Sequence, residues 1–243
     1  MNSNNKPEQS NRSIISFKYA WLALIISACI ILMVGQFSRI DLIIEDYYYD
    51  PLLKTFPWKN TWFAKDLMHT YVKNLIFGCG FFLYLFLLFD RLKPWPIISQ
   101  GLRFRLKFVA IASILIPISI SLLKNFSVLH CPWDIDRYNG TAPFLKLLDY
   151  VPNGLEHGAC FPAGHATTGL WLASLCVFWL PQDTKKALFV FMMGLAGGLI
   201  LGWVQQMRGA HFLFHTLWSM WIASLIILIM LQVSKSTFTT PEE

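Results

Sequence analysis

Arg208-Gly-Ala-His211-Phe-Leu-Phe-His215 joins two residue types that handle phosphate. A guanidinium holds phosphate oxygens in a fork, and an imidazole attacks phosphorus or moves a proton near neutral pH. On a helix, His211 and His215 lie one turn apart on one face. The stretch falls where one long apolar run ends and the next begins, a place where polar groups are costly without a use. Two further stretches offer matching parts. Lys124 ends another apolar run, and Phe161-Pro-Ala163-Gly164-His165 leads into a third. A helix start carries N–H groups with no intrahelical partner and so attracts anions. Gly164 lets backbone approach a ligand closely, and His165 at the same end can protonate a leaving oxygen. Together these are the parts of a phosphoryl-transfer site: fixed cations, N–H donors, a nucleophile and an acid.

The elements that must hold these residues are membrane helices. The 243 residues are 55% hydrophobic and 14% charged, with mean hydropathy +0.48. Soluble domains carry about 25% charged residues. Lys and Arg exceed the acids by 20 to 14, but they cluster beside apolar runs, where they orient helices, so nucleic acid is excluded as a partner. Six runs are expected: Tyr19–Phe37, Asn74–Phe89, Phe108–Leu123, His165–Leu180, Ala187–Met207 and Phe212–Val233. The first lacks a cleavage signature and reads as an uncleaved anchor. Pro117 is expected to kink the third. Gly194, Gly198 and Gly202 give the fifth a bare face for close packing. The fold class is therefore all-α, a six-helix membrane bundle over residues 17–234 with an extended loop, 125–164. Polar tails are expected over 1–16, as disorder, and over 235–243. Arg39–Lys73, rich in Tyr and Trp, reads as an interfacial belt, His69 included.

Six spans put both termini on one side. Arg91, Lys93, Arg103, Arg105, Lys107, Lys185 and Lys186 share that side, which the positive-inside rule makes cytoplasmic. Lys124, the long loop, His165 and His211 then meet on the opposite face.

Three stretches in this order resemble the type 2 phosphatidic acid phosphatase family, shared with vanadium haloperoxidases. The family's first motif, Lys, six residues, Arg-Pro, becomes Lys124 through Cys131-Pro132. Its Pro-Ser-Gly-His becomes Pro162-Ala163-Gly164-His165. In its third motif, Gly-Ala-His211 matches Gly-x-His, and His215 stands where an Asp is expected. The resemblance spans roughly 108–232. It implies a phosphohistidine on His211, His165 as general acid and no metal cofactor. It implies a lipid phosphate as partner, among them undecaprenyl diphosphate, phosphatidylglycerol phosphate, phosphatidate and lipid A phosphates. A bacterial inner membrane with the site facing the periplasm follows, and a phosphotransferase would use the same residues.

Four departures shape the expected site. Cys131 replaces an Arg, Ala163 replaces a Ser, Gln205 stands where the third-motif Arg belongs, and His215 replaces the Asp. Arg208, one turn nearer His211, is the expected substitute for the missing guanidinium. Arg137 either supplies the other or pairs with Asp134 and Asp136. The expected phosphate binders are thus Lys124, Arg208, Gly164, Ala163, Arg137 and Gln205. His215 is expected to accept a hydrogen bond from His211, and activity is expected to fall as pH drops through the ordinary imidazole range; in another register His215 is the nucleophile. Cys131 and Cys160 can pair as a disulfide in an oxidising compartment. His130, Cys131, Cys160, His165, His211 and His215 lack the close ligand pairs of zinc motifs. A transporter or proton relay would want polar groups across the midplane, and these gather at one face.

Overall fold

A computed structural model describes the backbone over residues 6–234 and side chains over 17–234. The expected tail at 235–243 and its counterpart at 1–5 lie outside the described residues; the latter's remainder belongs to a helix that already begins at Lys6. The helices are α1 (Lys6–Phe37), α2 (Ile40–Tyr48), α3 (Trp62–Leu92), α4 (Gln100–Asn125), α5 (Thr167–Trp179), α6 (Thr184–Met207) and α7 (Leu213–Val233). Among the described residues there is no named strand.

Five of these helices are long and apolar enough to cross a membrane, and α5 is shorter. The expected helical membrane bundle stands, and the run expected over His165–Leu180 is its shorter member. After one α-helical turn, Thr167–Leu170, α5 winds as a 3-10 helix over Trp171–Trp179. At rises of ~1.5 and ~2.0 Å per residue, its length is about 24 Å, close to that of a hydrocarbon core. Its position explains why it need not match lipid. Leu170, Ala173, Ser174 and Val177 are wholly buried among Ala112 and Ile116 of α4, Leu195 of α6 and Ala223 and Ile227 of α7. Lipid is met instead by the outer helices, whose Ile25, Phe77, Phe82, Leu122 and Phe189 are exposed. α4 runs unbroken past Pro117.

Glycines let α5 and α6 approach. A Cβ on Gly194 would stand 2.3 Å from the backbone nitrogen of Ala173. A Cβ on Gly169 would meet the backbone of Gly198 at 2.7 Å. Overpacked contacts cost about 1–3 kcal/mol. Gly194→Leu should lower unfolding stability by about that amount in detergent, read by thermal denaturation; an unchanged midpoint contradicts this packing.

The bundle has two distinct ends. At one, Arg103 at the start of α4 forks onto Asp90 near the end of α3 (2.7 and 3.0 Å), and Arg105 donates to the Leu180 carbonyl. At the other, the long loop folds back on itself: Ala159 and Cys160 donate to the carbonyls of Ser127 and Leu129. A disulfide joins Cys131 to Cys160, Cα atoms 5.3 Å apart. Under the loop, Phe56, Ile135, Tyr138 and Phe212 form a second small core. Part of the presumed interfacial aromatic belt is thus packing material, although Tyr47 and Trp62 remain exposed. Amphipathic α2 lies across this end. Its Asp41 accepts from the Phe214 amide at the start of α7 (3.2 Å), a cap supplied from another helix.

Candidate active site

Each site segment is fixed by local backbone chemistry. α6 ends at Arg208, and Gly209 follows at φ +72°, the left-handed conformation that closes helices. The amides of Gly209 and Ala210 donate to the carbonyls of Gln206 and Gln205, while the Gly209 carbonyl accepts from Trp133. A Cβ at 209 would sit 2.4 Å from the Phe56 ring, so glycine is required on two counts. This turn delivers His211 to the interior, where it is 1% exposed.

The three expected histidines converge, with a fourth from α3. Nδ1 of His165 lies 3.4 Å from Nε2 of His211, and Nε2 of His165 lies 2.8 Å from Nε2 of His69. On its other side, His211 faces Cys160: the Sγ is 3.3 Å from Nδ1, and the Cys160 backbone acts on His211 and His215 alike. A disulfide sulfur has no proton to give, so this contact sets the tautomer. Nδ1 carries the hydrogen, and the Nε2 lone pair points at His165.

That finding corrects the role expected of His215. Its ring packs edge-on to His211 with centroids 6.0 Å apart, and its buried Nδ1 has no partner among the described residues. The group that faces His211 Nδ1 is the disulfide sulfur of Cys160 instead. The backbone carbonyl of His215 is used elsewhere, accepting from the Ala163 amide at 3.1 Å. Ala163 is therefore also corrected: wholly buried, with its N–H occupied, it has nothing to offer phosphate. The amides of Gly164, His165 and Ala166 donate to no group among the described residues, so the open donors sit one residue further on.

The cations are unequal. Lys124 reaches the motif, its Cδ 3.9 Å from where a Gly164 Cβ would be. Arg208 donates to the Lys59 carbonyl (3.1 Å) and to Oε1 of Gln205 (2.9 Å). Gln205, expected to touch phosphate, thus spends its acceptor on positioning Arg208; it still lines the pocket. Arg137 is corrected outright. It forks onto Asp46 of α2 (2.8 and 2.6 Å), a pairing that holds its guanidinium above the usual range and the Asp46 carboxyl below it. Neither expected alternative, phosphate or Asp134 and Asp136, receives that guanidinium.

Lys73 escaped sequence reading, and His69, expected in the interfacial belt, instead meets His165. With Met68, His165, Thr168, Leu201 and Gln205 they line a small pocket. The signal was faint: a His and a Lys four apart, just before the second apolar run. Lys73, Lys124 and Arg208 all act electrostatically on His165. Burial first, then His69 and these cations, lower His165 to about 3. Burial, then the neighbouring imidazoles, put His211 well below its ordinary value.

A lowered imidazole stays neutral as pH falls through about 6.5. His211 is therefore kept neutral through the range in which an ordinary imidazole gains its proton, against the expected loss of activity there. Stability behaves oppositely: the unfolded chain takes up protons that the folded one refuses, so it declines as pH falls from about 6.5 toward 3. NMR of ring-labelled histidine in the ligand-free protein should find His165 and His211 neutral at about pH 5. Titration of either near 6.5 contradicts the buried arrangement.

For metal, Cys131, Cys160 and His211 offer atoms within 4.8 Å of one another. The sulfurs are bonded to each other, and His130 spends its Nε2 on the Glu156 carbonyl. Thiolates, not disulfides, hold zinc, so these residues do not fit a metal centre.

A helical membrane bundle with paired imidazoles among cations at one end is the framework of a phosphoryl-transfer enzyme. The family model of the PAP2 superfamily matches residues 105–238, more than half of the chain, and the chain belongs to that superfamily. It is accordingly an enzyme of the phosphatase class. The match takes in α4 to α7 and leaves α1 to α3 outside it. No curated protein and no solved structure matches the chain.

Proposed function

We propose that this phosphatase removes phosphate from a lipid-linked phosphomonoester or diphosphate at the periplasmic face of a bacterial inner membrane. The observation that carries the reading is the 3.4 Å approach of His165 Nδ1 to His211 Nε2, ringed by Lys124, Lys73 and Arg208. Phosphate entering between the two rings meets a nucleophile on one side and a proton donor on the other. His211 Nε2 forms a bond to phosphorus as the bond to the leaving oxygen breaks, and His165 gives that oxygen its Nδ1 proton. Water then attacks the phosphohistidine, releasing inorganic phosphate. Lys124, Arg208 and the open amides at 164–166 spread the charge of the transferring group.

Two features support a lipid substrate and this orientation. The site lies at one end of helices whose outer faces are apolar and exposed, where a lipid's phosphate could reach it. The far end carries Arg91, Lys93, Arg103, Arg105, Lys185 and Lys186, the pattern of a cytoplasmic face. A phosphate-release screen over long-chain and water-soluble phosphates, with His211→Ala as control, tests the reading. Long-chain lipid phosphates should turn over best. Release from water-soluble esters alone would refute the lipid assignment.

A further inference from the structure

His165 presents a difficulty as a general acid. Both its nitrogens face other imidazoles: Nδ1 faces His211 at 3.4 Å, and Nε2 faces His69 at 2.8 Å. A neutral imidazole that gives up its one N–H becomes an anion unless its other nitrogen gains a proton at the same time. Whatever faces Nε2 therefore decides whether Nδ1 can donate.

We infer that His69 is a proton-relay residue, which returns a proton to His165 Nε2 as His165 gives its Nδ1 proton to the departing oxygen. The inference rests on the reading of His165 as general acid. The balance closes. His69 passes its Nε2 proton to His165 Nε2 and takes one from water at Nδ1, so both rings end neutral, each as the other tautomer. When water attacks the phosphohistidine, its proton enters His165 at Nδ1, the Nε2 proton of His165 passes to His69 Nε2, and His69 returns its Nδ1 proton to the hydroxide left by the first step, so both tautomers are restored.

Three observations support the relay. The His69 and His165 rings are 4.6 Å apart and tilted 44°, with a short nitrogen–nitrogen contact. His69 is half-buried and lines the pocket that also holds Lys73, so it connects the interior with solvent. Trp62–Val72 winds as a π-helix and becomes α-helical at Lys73; such winding is uncommon and concentrates at functional sites. The lowered basicity of His165 adds to this, since an imidazole that is not an imidazolium at neutral pH needs resupply.

His69 does not touch the phosphoryl group, so its test must separate acid catalysis from structure. Two phosphate esters with the same alkyl chain serve as probes, one an alkyl phosphate and one a nitrophenyl phosphate. The nitrophenolate leaves without a proton. In the full-length chain in detergent, His69→Gln should lower kcat/KM for the alkyl ester about 10- to 100-fold and for the aryl ester less than about 3-fold. In a His165→Gln background, His69→Gln should cost less than about 2-fold further. His69→Asn serves in its place should the glutamine variant not fold. Equal losses on both esters, no loss on the alkyl ester, or a full further loss in the double variant would each overturn the relay. His165→Gln alone separates the two readings. Selective loss there, with unselective or no loss in His69→Gln, removes the relay only; unselective loss in both removes the acid assignment with it.

Discussion

His211→Ala is expected to reduce phosphate release by about 10⁴-fold or more, the scale on which a covalent nucleophile is lost. His211 faces the disulfide sulfur of Cys160 through Nδ1 and a second imidazole through Nε2. Its burial means that alanine also leaves a cavity, so thermal unfolding should be measured alongside activity. His215→Gln provides the contrast. The His215 ring makes no hydrogen bond to His211, and its backbone carbonyl, which holds the Ala163 amide, survives substitution. A loss of about 10-fold or less is expected there, as for a packing change that shifts but does not remove the reacting groups. If His215→Gln were the more damaging of the two, the assignment of nucleophile would be reversed.

Arg208→Ala should cost about 10³-fold in kcat/KM, and Arg137→Ala should leave turnover within about 3-fold of normal. Both arginines sit near the site in sequence terms, and only position in the fold separates them. Arg208 is held by the Lys59 carbonyl and Gln205, acceptors that orient the guanidinium without neutralising it. Arg137 faces a full carboxylate, and an ion pair this exposed contributes about 1 kcal/mol or less to stability. Lys at 208 should recover only part of the loss, because an ammonium is a point charge and cannot reproduce a fork. Steady-state kinetics on the preferred lipid phosphate decides the comparison, and equal losses at 208 and 137 would contradict it.

The bundle was legible because lipid imposes a crude rule: apolar runs of sufficient length become helices. Span counting also placed Lys124, His165 and His211 at one end, where the structure brings them together. α5 escaped the rule because a helix enclosed by protein is freed from the lipid length requirement. His69 and Lys73 escaped it for the opposite reason. Lys65 and Asp66 depress the hydropathy of Trp62–Val72, yet α3 runs through them. Arg137 had acids close in sequence, and the one it chose is 91 positions away. The approach of Cys160 to His211 was also hidden, since the two lie 51 positions apart. These misses share a cause: pairings made by tertiary packing leave no local pattern.

The central claim is that His211 takes the phosphoryl group onto Nε2. Its most direct measurement is brief incubation of the purified protein with a radiolabelled phosphate ester, quenching in alkali, which spares phosphohistidine, and mapping of the labelled peptide. Label is expected on the peptide containing His211, attached at Nε2 and absent from His211→Ala. Label on His165 or His215, or continued phosphate release by His211→Ala, would contradict it.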